Sequence, residues 1–226
     1  MRHKQSRHPT EQGLTLIESL TAVVILGISV VAISPPIALS IAARVRAHRA
    51  QQAMQLAQGE VDRVRLLVEN LGPGKTVLTS IEGSLPPDRG NIKPQNVPVV
   101  APPSTIKPCH ENLSAEWCSV HLDEDNQWDM AIQRFRTYTQ PEQNSTGQNT
   151  GRNLAAFILG VRVYTRASID AGNLSTQTPI GTASLALSAA SSQGGLPLAA
   201  SSVPIVKSDS ASAFDNYNRL LTQMGQ

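Results

Sequence analysis

The residue types best suited to chemistry are concentrated between positions 109 and 129. Cys109, His110, Cys118 and His121 include the side-chain types that bind zinc in proteins. The directly adjacent Cys-His pair departs from the usual ligand spacing of such sites. Outside the cytoplasm, Cys109 and Cys118 can instead close a small loop as a disulfide, and this is the interpretation that the sequence favours.

An acidic group follows, formed by Asp123, Glu124, Asp125 and Asp129. Several carboxylates on one loop can bind calcium. The segment has no glycine at a central turn position and no closing bidentate glutamate, so it does not fit a calcium loop. We interpret it as a solvated turn before a strand and predict no metal site.

Neither group belongs to a recognisable catalytic motif. The chain contains no G-x-S-x-G, H-E-x-x-H, G-x-G-x-x-G or C-x-x-C pattern. We therefore predict no catalytic residue, no enzymatic activity and no cofactor. A net charge of +2, with 40% hydrophobic and 4% aromatic residues, suits one modest globular domain and gives no case for nucleic-acid binding.

The elements that position these residues start with an apolar run over residues 14–43, LTLIESLTAVVILGISVVAISPPIALSIAA, in which Glu18 is the one charged residue. Such a run can cross a bilayer as a helix, because about 20 apolar residues suffice. The basic leader, residues 1–13, favours a cytoplasmic N-terminus. A carboxylate inside a bilayer is costly unless it is paired, so Glu18 requires a partner.

The junction between the leader and the apolar run resembles the N-terminal signature of type IV prepilins. Residues 13–20 read GLTLIESL, which matches the family pattern of glycine, an apolar residue, Thr-Leu-Ile and glutamate. The resemblance implies cleavage by a prepilin peptidase after Gly13, methylation of the new N-terminus at Leu14, and pairing of Glu18 with the Leu14 amine of a neighbouring subunit. The alternative is an ordinary signal-anchor helix with Glu18 near the headgroups.

The signature variant with Glu18-Ser19-Leu20 and the double proline is similar to minor pilins of the PilV type, and about the first 65 residues are similar to cyanobacterial hormogonium polysaccharide secretion pseudopilins of the HpsB type. The resemblance implies a single-pass inner-membrane protein whose C-terminal part is periplasmic or extracellular. It implies assembly into a pilus or pseudopilus that serves polysaccharide secretion or gliding or twitching motility. The implied partners are the prepilin peptidase, other pilins or pseudopilins, the inner-membrane assembly platform and an exported polysaccharide.

Pro35 and Pro36 lie inside the apolar run. Each proline lacks an amide hydrogen and clashes with the preceding helical turn, which predicts a kink or a locally unwound segment. A proline-kinked membrane helix without any assembly role fits the same residues.

Residues 44–72 continue the helix as an amphipathic segment. Its apolar positions form a single stripe: Met54, Ala57, Val61, Val64, Val68 and Leu71. The stripe predicts packing on a β-sheet, with a short coiled coil as the alternative. The sequence Gly72-Pro73-Gly74 ends the helix at Leu71 or Gly72.

Residues 73–226 are predicted to form a globular head. Proline density makes residues 75–107 a long surface loop, with a brief extended piece at residues 76–81. Alternating apolar residues predict an antiparallel pair of strands at residues 128–138 and 154–165, joined by a polar loop.

The C-terminal third of the head gives weaker signals. We predict a third strand at residues 180–188, a linker at residues 191–202, and a short helix that docks on the sheet through Phe214, Tyr217, Leu221 and Met224. The expected fold class is therefore α+β and pilin-like, with a long N-terminal helix packed on a small antiparallel β-sheet.

Two other functions compete with that of a structural filament subunit. One is a low-copy tip adhesin or initiator that binds a polysaccharide or protein through the proline-rich loop and the Cys109–Cys118 region. The other is an anchored enzyme that depends on His110 or His121.

Overall fold

The structure is a computed structural model. It describes residues 15–70, 84–111, 114–123, 125, 127–143, 149–183, 194–208 and 213–225, with the backbone alone at 33–36, 38, 141–143 and 149–155. The chain divides into two compact units, Met1–Arg44 and Val45–Gln226. Helix α1, Leu16–Glu69, contributes residues to both units.

In the first unit, α1 begins where the sequence can cap it. The hydroxyl of Thr15 lies 3.4 Å from the amide nitrogen of Glu18, which donates to it, and Glu18 lies in the first turn where the helix dipole favours a negative charge. The helix assignment continues through Pro35 and Pro36, so no unwound segment interrupts it there, and the kink stays a prediction. Among the described residues, no helix combines the length and apolarity needed to cross a membrane.

The second unit contains a four-stranded sheet in the order β1-β2-β3-β4, in which all neighbours are antiparallel. The strands are β1, Trp117–Val120; β2, Met130–Gln143; β3, Asn149–Thr165; and β4, Ala199–Val206. The α+β class and the antiparallel pairing of the two strongest strand signals are thus confirmed. Helices α2, Arg166–Asp170, and α3, Ala213–Met224, complete the fold.

The sheet extends further than the sequence pattern predicted. The predicted polar loop between β2 and β3 is largely strand, because backbone pairing continues as far as Gln143 and Asn149 despite the polar side chains. The register shifts after Thr137, and Tyr138 takes a φ of 50°, which marks a bulge. The ladder therefore bends instead of ending.

Two further predictions near the C-terminus were wrong. Residues 180–183 are not a strand, and residues 184–188 lie outside the described residues. The end of the predicted linker, residues 199–202, is strand, because β4 begins at Ala199 and pairs with β3 from Ala199 to Val206. The small residues of β4 have a low intrinsic propensity for strand. Pairing with β3 stabilises the strand in spite of this low propensity.

The core of the second unit lies between α1 and one face of the sheet. The helix contributes Ala53, Ala57, Val61, Val64 and Val68, and the sheet contributes Met130, Ile132, Phe157, Leu159, Val161 and Val163. The predicted stripe is therefore correct except at its start. Met54 is 57% exposed and Ala53 occupies its place, because a periodicity of 3.6 residues runs from Ala57 back to Ala53. Leu71, like the predicted extended piece at residues 76–81, lies outside the described residues.

A buried ion pair joins α1 to the sheet within this core. Arg134 of β2 is fully buried, and its guanidinium lies 2.5 Å from a carboxylate oxygen of Glu60. Arg134 also donates from Nε to the carbonyl of Ala115 at 3.2 Å. Charges removed from water are stable only when they are paired and hydrogen-bonded, so this contact fixes the helix at one position along the sheet.

The opposite face of the sheet is buried as well, and the proline-rich segment covers it. Pro94 and Val97 are buried, and their carbonyls each accept a hydrogen bond of 2.8 Å from Nη2 of Arg162 on β3. The described part of the predicted loop, from residue 84 onward, is indeed irregular apart from a short 3-10 turn, Pro94–Asn96. It is nevertheless a layer of the fold, because it shields this face from water.

Helix α3 docks on the sheet as predicted, and Met224 of the predicted row packs against the buried cluster there. Leu220 is fully buried in a cluster with Tyr138 and Ile158. Phe214 is 75% exposed and Tyr217 is 42% exposed, so the predicted contact through these two aromatic residues was wrong. Their row on the helix is rotated away from the row that contains Leu220.

The buried ion pair leads to a stability prediction. Arg134→Met leaves the buried carboxylate of Glu60 with only its longer contact to the half-buried Arg63, at 3.9 Å, and should lower the free energy of unfolding by about 3 kcal/mol. The double variant Glu60→Leu/Arg134→Met should recover most of that loss, because apolar residues of similar volume replace both partners. Urea unfolding of the full chain in detergent, followed by circular dichroism, measures both effects.

The matched control is Arg65→Ala, which breaks the exposed Arg65–Asp62 pair, 3.7 Å apart, and should cost no more than about 1 kcal/mol. An Arg134→Met variant that is as stable as Arg65→Ala would contradict the role assigned to the Glu60–Arg134 pair.

The phenol of Tyr164 makes stability depend on alkaline pH. Burial raises the pKa of Tyr164 from 10.0 to about 12. In the unfolded chain the phenol deprotonates near its ordinary pKa, so its contribution is complete below pH 10 and is lost as the pH rises to about 12. The loss should amount to about 2–3 kcal/mol relative to Tyr164→Phe, which keeps the ring and cannot titrate. Unfolding measured across this pH range tests the difference, and parallel curves for the two proteins would refute it.

Candidate functional site

The residues with the strongest functional prediction lie at the start of α1. Gly13 and Leu14, the predicted cleavage junction, lie outside the described residues. Glu18 lies in the first helical turn, where its amide nitrogen donates to both the hydroxyl and the carbonyl oxygen of Thr15. Thr15 and Glu18 have the spacing of a capping box, in which the glutamate helps to start the helix. The bonds at this cap use the Thr15 hydroxyl and the backbone amide of Glu18, so the cap is separable from any assembly role of the Glu18 carboxylate.

The hydroxyl groups in this part of α1 do not require an external partner. Ser19 donates to the carbonyl of Leu16 at 2.9 Å, Thr21 to the carbonyl of Ile17 at 2.8 Å, and Ser29 to the carbonyl of Ile25 at 2.8 Å. Each hydroxyl is thus satisfied within the helix itself. These positions add little polarity to the helix surface.

The same part of α1 exposes large apolar side chains on all of its sides. The consecutive residues Val23, Val24, Ile25 and Leu26 cover a full helical turn, and each is more than half exposed. Leu16, Ile17 and Leu20 before them, and Ile28, Val30 and Val31 after them, are exposed to a similar degree. A helix that is apolar all round is stable only when lipid or other protein surrounds it.

The predicted Cys109–Cys118 region forms a closed loop fastened to α1. A disulfide joins Cys109 to Cys118, which is the pairing that the sequence favoured over a zinc site. Arg63 of α1 donates to the carbonyls of Cys109 and His110 at 2.5 and 3.3 Å. His110 and His121 are exposed, and the described residues contain no group of three side chains able to hold a metal ion.

A network of polar residues that sequence reasoning missed runs across the sheet beneath the proline-rich segment. Arg162 donates to Oε1 of Gln133 at 3.2 Å, and Nε2 of Gln133 donates to Glu116 at 2.9 Å. The other carboxylate oxygen of Glu116 pairs with Arg89 of the proline-rich segment. The signal was present in the sequence, because an arginine inside an apolar strand must find a partner when the strand is buried on both faces.

The ring of Phe135 completes this network. The guanidinium of Arg162 lies 4.7 Å from the centroid of the ring. Gly160, opposite Phe135 on β3, leaves the space that the ring occupies, since a Cβ there would lie 2.3 Å from it. The proline-rich loop was proposed from the sequence to bind a ligand. Its backbone carbonyls at Pro94 and Val97 instead bind Arg162 of the sheet.

An open cavity of about 570 Å³ lies beside α1 at Arg49 and Gln52. Its other walls come from the segment before β2 and from α2, with Trp128, Arg166 and the carboxylates of Asp123, Asp125, Asp129 and Asp170. The guanidinium of Arg166 lies 5.4 Å from the centroid of the Trp128 ring and donates to Asp170 at 3.1 Å. The acidic group identified in the sequence is thus part of a cavity wall.

Asp123 and Asp125 differ in how readily they are protonated. A hydrogen bond between the two carboxyl groups raises the pKa of Asp123, and the nearby charges of Asp125 and Asp129 act in the same direction. A hydrogen bond from the backbone of Gln127 lowers the pKa of Asp125. The pair is therefore a site of concentrated negative charge.

No family model, curated protein or solved structure matches the chain.

Proposed function

We propose that this protein is a type IV pilin-like subunit, a minor pilin or pseudopilin. It is cleaved after Gly13 by a prepilin peptidase, methylated at Leu14, and assembled through its N-terminal helix into a pilus or pseudopilus. The observation that carries the proposal is the surface of α1 before Arg44, which is apolar on all sides and has the carboxylate of Glu18 in its first turn.

That surface needs an environment that its own chain does not provide. Apolar surface contributes about 25 cal/mol per Å² when it is removed from water, so a helix with such residues exposed will associate with lipid or with similar helices. Before assembly, residues 14–43 lie in the inner membrane. After assembly, the equivalent helices of neighbouring subunits surround them.

Glu18 supplies the specificity that apolar packing lacks. Among the described residues, its carboxylate has no ion-pair partner. Cleavage after Gly13 creates a positive amine on Leu14, four residues before it in sequence. In a packed array the amine of one subunit neutralises Glu18 of the next, and this pairing sets the axial position of each subunit.

The second unit supports a role as a folded head. Its sheet packs on the amphipathic part of α1, and its disulfide suits an oxidising compartment. We propose that the fold is pilin-like and that the protein serves polysaccharide secretion or motility. Ligand binding by the proline-rich loop is less well supported, because Arg162 binds the carbonyls of Pro94 and Val97.

Processing can be tested at the N-terminus. Mass spectrometry of the protein purified from membranes of its host should find a chain that begins at Leu14 and carries one methyl group. Gly13→Val should leave the leader uncut, because the peptidase needs the small residue at the cleavage site. The control is Gly27→Ala, where an added Cβ meets nothing within 4 Å, and processing should be normal. An N-terminus at Met1 in the unchanged chain, or a cut beyond Ala43, would refute the proposal.

The charge of Glu18 can be separated from its role in starting the helix. Glu18→Gln keeps a side chain that completes a capping box but removes the charge, whereas Thr15→Ala removes the cap and keeps the charge. Loss of a buried charge partner costs about 3–5 kcal/mol, so Glu18→Gln should reduce incorporation into filaments at least about 100-fold.

Thr15→Ala should remain within about tenfold of the unchanged chain, because loss of a cap costs about 1 kcal/mol. Immunoblotting of sheared or purified filaments against the membrane pool measures incorporation. A Glu18→Gln defect no larger than that of Thr15→Ala would refute the pairing of the Glu18 carboxylate with a neighbouring subunit.

A further inference from the structure

The segment of α1 that enters the head carries a run of basic residues. Arg44, Arg46, His48 and Arg49 lie within six positions, and all are exposed or half-buried. Among the described residues, no carboxylate lies within ion-pair distance of these arginines. A concentration of positive charge on a rigid helix is therefore available to an external partner.

The cavity beside Arg49 and Gln52 has four carboxylates and two cations, Arg49 and Arg166, in its wall, so its net charge is negative. Two of its carboxylates are already engaged, since Asp129 accepts from the amide of Leu122 at 2.7 Å and Asp170 accepts from Arg166. Asp123 and Asp125 are exposed, and they bond to each other and to backbone amides of their own turn. Their mutual repulsion, which contributes to the raised pKa of Asp123, is relieved when a cation binds between them.

We propose that the basic segment of one copy, residues 44–49, docks in the acidic cavity of a second copy, with its arginines against Asp123 and Asp125. This inference depends on the proposed function, because it describes how neighbouring subunits in an array contact each other beyond their N-terminal helices. The interface is heterologous, since two different surfaces meet, and such contacts build open filaments.

The position of the cavity along α1 makes this contact geometrically simple. The cavity lies at positions 49 and 52 of its own helix, one to two turns after Arg44 and Arg46. A parallel neighbour displaced along the axis by about 5–10 Å brings its basic segment level with the cavity, because an α-helix advances 5.4 Å per turn.

The alternative partner for the basic segment is an anionic lipid surface. The carboxylates of the cavity lie at the same end of the head, beside Arg49, and would be repelled by such a surface. The charge distribution therefore favours a second copy over a membrane.

The test uses two full-length chains with opposite charge reversals. One carries Arg44→Glu and Arg46→Glu, and the other carries Asp123→Lys and Asp125→Lys. Each is labelled for energy transfer, and association in detergent is measured at low and high ionic strength. Alone, each should associate about tenfold more weakly than the unchanged chain, because like charges then face each other.

An equimolar mixture of the two reversed chains should recover association, since the basic segment of one now meets an acidic counterpart in the other. High salt should weaken association of both the unchanged chain and the mixture. Arg65→Glu, an exposed reversal elsewhere on α1, is the control and should associate normally. Circular dichroism of all variants checks that the fold is kept.

The other outcomes overturn the proposal in distinguishable ways. Normal association of both reversed chains would refute the docking contact and leave assembly through Glu18 standing. An unchanged chain that fails to associate at all would refute both. Failure of the mixture to recover, together with loss of binding to anionic vesicles in the arginine variant alone, would assign the basic segment to lipid.

Discussion

The head depends on one contact between a helix and a sheet that are distant in sequence. Glu60 of α1 and Arg134 of β2 are both buried, and each is the charge partner of the other. The surrounding contacts are aliphatic and tolerate small displacements, whereas a buried charge does not tolerate the loss of its partner. The ion pair therefore selects one position of the helix among several that apolar packing alone would allow.

The same principle holds the other layer in place. The proline-rich segment has little regular structure, and few of its side chains are large and apolar. Arg162 compensates by binding its backbone carbonyls, while Gln133 and Glu116 connect Arg162 to Arg89 of the same segment. Two strand arginines thus fasten the two layers, one on each face of the sheet. Only 4% of the residues are aromatic, so large apolar side chains contribute little to the packing of these layers, and the hydrogen bonds and ion pairs of the two arginines matter more for holding them on the sheet.

The local sequence pattern predicted an element correctly where the residues of that element alone determine its buried face. The periodicity of Ala57 to Val68 predicted the buried face of α1, and alternation around Ile132 and Val161 predicted the central strands. It failed where an element exists because of a distant partner. Ala199 and Ala200 become strand through pairing with β3, and Phe214 is exposed because Leu220 contacts the sheet instead. Nothing within those segments encodes the partner, so no local pattern could have identified it.

Helix α1 meets two different physical demands within one continuous element. After Val45 its buried residues occupy one stripe, and the sheet of the same chain satisfies them. Before Arg44 its exposed residues are apolar on every side, and no single sheet could cover all of them. The head can therefore fold using contacts from its own chain, whereas the described apolar side chains of the N-terminal segment stay exposed, which is why we propose that other helices or lipid cover them. The segment that contributes least to the stability of the isolated chain is consequently the one best suited to drive its association.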